Sequence, residues 1–147
     1  MASSVVTVLG TGTMGQGIAQ VAATSGFETR IFDNDEARAS NAVRGIGEQL
    51  DKLVGKGKLS AEEATATKAR ITKARDVGSA SRDASIVIEA VPESMDLKVE
   101  LFRQVLASAP ETAILGSNTS SLSLTELGTR IKAPERTVGL HFFNPPP

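Results

Sequence analysis

Val5-Val6-Thr7-Val8-Leu9-Gly10-Thr11-Gly12-Thr13-Met14-Gly15 is the stretch on which the fold turns. Residues 5 to 9 have the length and β-branched or aliphatic make-up of a buried strand, and glycines at 10, 12 and 15 follow without a spacer. Gly15 to Thr24 then continues with helical composition as far as Gly26, a residue suited to the left-handed conformation that closes a helix. Strand, glycine turn and helix in direct succession leave the helix's opening N–H groups and its partial positive charge facing the turn, which is a seat for phosphate. In that context the spacing Gly10, Gly12, Gly15 reads as a dinucleotide loop. Gly10 permits the tight turn, Gly12 lets a diphosphate approach the backbone, and Gly15 lets the helix pack close to the strand. Thr11, Thr13 and Met14 complete the loop as further cofactor-binding residues.

Outward from this unit, short apolar runs alternate with longer Ala-rich or polar segments of helical period, the pattern of a parallel sheet covered by helices. The strands expected are Val5 to Leu9, Glu28 to Phe32, Ile86 to Ala90, Ala113 to Ser117 and Thr137 to His141, with a weaker sixth at Arg70 to Lys73. Residues 36 to 54 are expected to be helical despite Gly45 and Gly47, and another helix starts at Leu59 to Glu63 with Ser60 as its cap. Met95 to Ala109 is expected as an amphipathic helix with Leu97, Leu101, Val105 and Ala109 on one face, ended by Pro110. The fold class is therefore α/β, a doubly wound and mostly parallel sheet formed as one domain over residues 1–147. The connection between the second strand and the strand at Ile86 is long for a simple crossover, and a helical hairpin protruding from the sheet is the natural reading. Its residues 48 to 75 hold seven Lys or Arg against four Asp or Glu, which a solvated surface explains as readily as a binding face.

Composition removes several functions. Sixteen basic against seventeen acidic residues give a formal net charge of −1, so no global field draws the chain to nucleic acid or an anionic membrane. Without Trp or Tyr the usual base-stacking platforms are missing, although five Phe remain, and nucleic acid is not an expected partner. No Cys and a single His exclude disulfides and a thiolate or imidazole-built metal site, so no metal is expected. The amino terminus lacks the basic region and apolar run of a signal peptide, and no stretch approaches the ~20 apolar residues of a membrane span. A cytoplasmic protein without a membrane partner is the expectation.

Three further features point to chemistry. Asp33 ends the second expected strand 18 residues after Gly15, near the spacing at which a carboxylate accepts hydrogen bonds from an adenosine ribose. It would repel a 2′-phosphate, and Asn34 supplies no cation for one, so NAD is favoured over NADP. Ser117-Asn118-Thr119-Ser120-Ser121 and His141-Phe142-Phe143-Asn144-Pro145 each follow a strand, at the sheet edge where open α/β folds bind ligands. Ser120, His141 and Asn144 could converge there beside a nicotinamide, although each alone is as easily a helix cap or a structural side chain.

Taken together, GTGTMGQGIAQ, EAVPE, SNTSS and GLHFFNP, in this order, resemble the nucleotide-binding domain of 3-hydroxyacyl-CoA dehydrogenases, including the 3-hydroxybutyryl-CoA enzymes, over essentially the whole chain. The resemblance implies a Rossmann-type domain and NAD-dependent oxidation of a (3S)-3-hydroxyacyl-CoA to the 3-oxoacyl-CoA, as in fatty acid β-oxidation or butanoate-type metabolism. It implies that His141 is the catalytic base, a role suited to imidazole, which titrates near neutral pH. It implies that Ser120 hydrogen-bonds the reacting oxygen and that Asn144 stands beside the nicotinamide, both also touching cofactor. Glu93 and Lys98 match positions lining the cofactor site, and Lys56 matches a contact to coenzyme A phosphates, with Ser120 also facing the substrate.

The family's base is oriented by a Glu about a dozen residues beyond the His, and a helical carboxyl-terminal domain closes the cleft and carries a homodimer interface. Neither lies within these 147 residues, so the expectation is a piece that binds NAD and turns substrate over poorly, from a full-length parent that is active and dimeric. Two alternatives stand beside this. One is another β-hydroxyacid dehydrogenase, such as a 3-hydroxyisobutyrate or 6-phosphogluconate type, which shares the glycine loop. The other is a non-catalytic NAD-binding or structural relative.

Overall fold

All five residues of β1 (Val5–Leu9) are buried, which requires a strand paired on both edges and covered on both faces. The computed structural model, which describes residues 4–142, supplies both. β1 pairs in parallel with β2 (Glu28–Phe32) on one side and β4 (Ala84–Glu89) on the other. β3 (Ile71–Lys73) extends the β2 edge, while β5 (Ile114–Ser117) and β6 (Thr137–Gly139) extend the β4 edge. The order β3-β2-β1-β4-β5-β6, parallel throughout, reverses direction between β1 and β4. A crevice opens there at the carboxyl ends of the strands.

The period-two alternation of β1 sorts its side chains into two cores. Val6 and Val8 join Ile18, Ala19, Ile31, Ala42, Ile46, Leu50 and Ala64 beneath α1 (Thr13–Thr24), α2 (Glu36–Gly55) and α3 (Ala61–Ala69). Val5 and Leu9 join Val87, Val99, Phe102, Val105, Leu115 and Leu127 beneath α4 (Val77–Ser81), α5 (Met95–Leu106) and α6 (Leu124–Arg130). A short 3-10 turn, Pro134–Arg136, leads into β6.

The six strands and the four helices expected are present, β1 and β2 with the expected ends and the others with ends shifted by up to three residues. α1 starts two residues earlier than Gly15, and Gly26 closes its far end at φ +100°. Ser60 caps α3 in a reciprocal box with Glu63, Ser60 Oγ accepting from Glu63 N at 3.0 Å. The expected hairpin is present as α2 and α3, with residues 55–58 as its exposed tip and α3 folded back on α1 and α2 to bury Ala64 and Thr67. One expectation needs correction. The buried face of α5 runs through Lys98, Val99, Leu101, Phe102 and Val105, leaving Leu97 37% exposed on the crevice wall. A strict step of four drifts around a helix of 3.6 residues per turn, so Leu97 falls at the edge of the stripe. The short helices α4 and α6 were not expected; each is capped by a side chain, Asp76 and Ser123 respectively.

Candidate active site

Among the described residues, five of the six α-helices have their first amides met by a side chain: Asp35 for α2, Ser60 for α3, Asp76 for α4, Ser94 for α5 and Ser123 for α6. α1 begins at Gly12 with no side-chain cap and no acid in its first turn. Its opening N–H groups therefore face the crevice, which suits an anion. The glycines confirm the sterics of such a loop. Gly10 sits at φ +98°, and a Cβ there would lie 2.7 Å from the Ala90 carbonyl oxygen, so backbone conformation and space both demand glycine. A Cβ at Gly15 would lie 1.9 Å from the Gly10 carbonyl oxygen. At Gly12 the nearest atom would be Arg38 Nη2 at 3.8 Å, so a side chain there would fill only the crevice itself. Gln16 Nε2 donates to the Thr11 carbonyl at 3.0 Å and steadies the loop.

The crevice has a volume of about 520 Å³. Residues Leu9 to Met14 form its floor, Asp33 and Arg38 stand at one end, and Val91, Leu97 and Leu101 make an apolar wall. That mixture fits a dinucleotide: amides for phosphate, an acid for ribose and an apolar slot for a base. Asp33 Oδ2 accepts from Thr11 N at 3.0 Å and Thr11 Oγ1 at 2.8 Å, while Oδ1 accepts from Asp35 N at 2.9 Å. Burial pushes its pKa up, but these hydrogen bonds and the Arg38 charge outweigh it and hold the carboxyl below its ordinary range. Arg38, which the sequence reading did not single out, brings its Nε within 4.0 Å of Asp33 Oδ2. Nothing in the linear sequence distinguishes it from the other bases of α2.

A second cluster ties β4, α5 and the loop after β5 together. Lys98 and Glu89 are fully buried, and Lys98 Nζ donates to both Glu89 oxygens, at 2.6 and 2.7 Å. Val91 N and the Ser117 hydroxyl donate the remaining hydrogen bonds to Glu89. Lys98 also reaches Glu93 Oε1 at 3.1 Å. Glu93 Oε2 accepts from Thr119 Oγ1 at 2.7 Å, Ser121 Oγ at 2.9 Å and Ser120 N at 3.4 Å. Burial opposes ionisation of Glu93, yet these donors and the Lys98 charge lower its pKa from 4.5 to about 2. Glu93 thus shapes the Ser117–Ser121 loop, and the carry-over of Glu93 and Lys98 falls on one connected network. Glu89 and Ser117 were missed, although a carboxylate inside the apolar run Ile86 to Ala90 was the available signal.

The two distal motifs also meet. Asn118 Oδ1 accepts from Phe142 N at 2.9 Å, and Leu140 N donates to the Ser117 carbonyl at 2.9 Å. Ser120 and His141, both exposed, therefore leave the carboxyl ends of adjacent parallel strands on the same sheet edge as the glycine loop. Asn144 lies outside the described residues. Lys56 stands at the exposed tip of the hairpin and does not line the crevice. Among the described residues no group of three or more His, Asp or Glu is placed to hold a metal ion, and no helix is long and apolar enough to cross a membrane.

Residues 5–147 match the family model described as 3-hydroxyacyl-CoA dehydrogenase, NAD binding domain. The chain is 42% identical, over 97% of its length, to 3-hydroxyadipyl-CoA dehydrogenase of Escherichia coli strain K12, and covers 30% of that relative. It is 39% identical, again over 97% of its length, to a probable 3-hydroxybutyryl-CoA dehydrogenase of Bacillus subtilis, of which it covers 49%. Among solved structures, 3-hydroxybutyryl-CoA dehydrogenase from E. coli K12 superposes on all of the chain with a TM-score of 0.94 at 40% identity, the chain covering 31% of it. The chain thus spans half or less of the length of the relatives it matches. With the glycine loop, Asp33 and the crevice between them in place, the chain belongs to the 3-hydroxyacyl-CoA dehydrogenase family, as its NAD-binding domain.

Proposed function

We propose that this domain serves a protein that oxidises a (3S)-3-hydroxyacyl-CoA to the corresponding 3-oxoacyl-CoA. The reading is carried by one observation, the hydrogen bond from Phe142 N to Asn118 Oδ1, which draws the Ser120 loop and the His141 segment to one edge beside the crevice. Gly10 to Met14 and Asp33 would hold NAD, which would supply the acceptor for the hydride leaving substrate C3. An imidazole nitrogen of His141 takes the proton of the substrate hydroxyl as the C–O bond becomes a carbonyl, so the two hydrogens leave as hydride and proton. The Ser120 hydroxyl donates to that oxygen and orients it. Asn144 would hold the nicotinamide end of the cofactor, and Glu93 with Lys98 holds the loop that carries Ser120. Lys56 pairs with a coenzyme A phosphate. α2 has 20 residues and is roughly 30 Å long, so such a contact is with the end of the substrate remote from C3.

The parent protein is read as a homodimer that takes acyl-CoA. The test is NAD reduction with (3S)-3-hydroxybutyryl-CoA by the full-length protein, with and without His141→Ala. Turnover that falls by about 10²- to 10⁴-fold in the variant is expected. Absence of turnover, or turnover indifferent to His141, would overturn the reading.

A further inference from the structure

Arg38 has no role in the chemistry proposed for His141 and Ser120. Arg38 is the third residue of α2, and its side chain turns back toward the helix start and into the crevice. Nε lies 4.0 Å from Asp33 Oδ2, and Nη2 comes within 3.8 Å of where a Gly12 Cβ would be. The guanidinium thus spans the gap between the ribose acid and the second glycine. Among the residues lining the crevice it is the one cation, against Asp33 and Asp35.

Asp33 does not need this arginine as a clamp. Its oxygens already accept three hydrogen bonds, from Thr11 N, Thr11 Oγ1 and Asp35 N. A separation of 4.0 Å, with the Arg38 side chain 60% exposed, leaves the fork of five N–H donors available to a ligand. There is also room beyond the acid. Phe32, Asp33 and Asn34 line a second hollow of about 460 Å³ on the far side, whose walls include Lys73 and Arg75. Lys73 is occupied by Glu36 at 3.1 Å and Ser40 at 3.0 Å, and Arg75 lies 3.5 Å from Asp76. Arg38 is therefore the base at this end whose charge faces the crevice.

We propose that Arg38 is a specificity-determining residue that makes the adenosine end of the crevice permissive for a 2′-phosphate, so that the domain takes NADP as well as NAD. An acid at the end of β2 works against a 2′-phosphate by like-charge repulsion. A guanidinium beside that acid offsets the repulsion and offers two parallel donors to the phosphate oxygens. NAD lacks the phosphate and leaves this fork facing water. The effect of Arg38 is thus confined to cofactors that carry the extra group. This inference rests on the dinucleotide reading of the crevice.

The experiment is calorimetric titration of the chain, and of Arg38→Ala, Arg38→Lys and Arg38→Glu, with NAD, NADP, AMP and 2′,5′-ADP, alongside thermal unfolding of each variant. In the unaltered chain NADP should bind within about tenfold of NAD, a charge-assisted pair offsetting the repulsion from Asp33. Arg38→Ala should weaken NADP and 2′,5′-ADP by about ten- to a hundredfold while NAD and AMP change less than about threefold. Arg38→Glu should weaken the phosphorylated pair further, Arg38→Lys should restore part of the loss, and unfolding midpoints should stay together because the side chain is on the surface. NADP binding more than about a hundredfold weaker than NAD in the unaltered chain overturns the proposal but leaves NAD binding intact. Equal weakening of both cofactors by Arg38→Ala overturns it too, since Arg38 then serves a group they share. If neither cofactor binds the unaltered chain, the dinucleotide reading fails and takes the proposal with it.

Discussion

An added Cβ at Gly15 would lie 1.9 Å from the Gly10 carbonyl oxygen, whereas one at Gly12 would meet only Arg38 Nη2 at 3.8 Å. The same one-carbon change should therefore separate two functions of the loop. Gly15→Ala is expected to force helix and strand apart, costing about 1–3 kcal/mol in thermal unfolding together with NAD affinity. Gly12→Ala should leave the unfolding midpoint nearly unchanged and weaken NAD alone, as calorimetry would read. Glu93 carries a prediction in pH. Its folded pKa of about 2 lies below the ordinary 4.5, so its contribution to stability is full above pH 4.5 and is lost as pH falls toward 2. Thermal unfolding followed from pH 5 to 2 should show a shallower acid loss for Glu93→Gln than for the unaltered chain. Equal slopes would mean that Thr119, Ser121 and Lys98 do not hold the carboxylate in solution.

At the scale of elements, side-chain caps on α2 to α6 leave α1 as the α-helix, among the described residues, whose start has no side-chain cap. The contrast leaves the start of α1 suited to an anion. The joint between α5 and β4 rests on a buried ion pair, Lys98 with Glu89, whose other hydrogen bonds are also filled. Breaking one side should cost more than removing both. Lys98→Met strands the Glu89 carboxylate and is expected to destabilise by about 3–5 kcal/mol in denaturant unfolding. Adding Glu89→Gln should recover a substantial part of that loss. A double variant no more stable than the single one would show that the pair contributes through packing rather than charge.

For the whole molecule, a ligand that binds only the folded state must stabilise it. NAD at about 100 times its Kd should add about 2.7 kcal/mol and raise the unfolding midpoint by several degrees. A midpoint unmoved by NAD would contradict the assignment of the crevice. Much of this molecule could be read along the chain, because the signals are local. Five apolar residues followed by Gly10, Gly12 and Gly15 dictate strand, turn and helix through sterics alone, and Asp33 follows at the spacing a ribose requires. Ser60 with Glu63 marks the start of α3 by its own hydrogen bonds. Short α4 and α6 escaped because helices of 5 and 7 residues have too few turns to show a period. Leu97 looked like core because its side chain is apolar, and only the packing of α5 turned it toward the crevice. Linear order thus determined the strand succession, the glycine loop and the place of Asp33 after β2. Tertiary packing alone decided what stands around them: Glu89 against Lys98, nine positions away on another element; Asn118 against Phe142; and Arg38 against Asp33 and Gly12. Those are meetings of charges and donors from separate elements, whose partners no local pattern specifies.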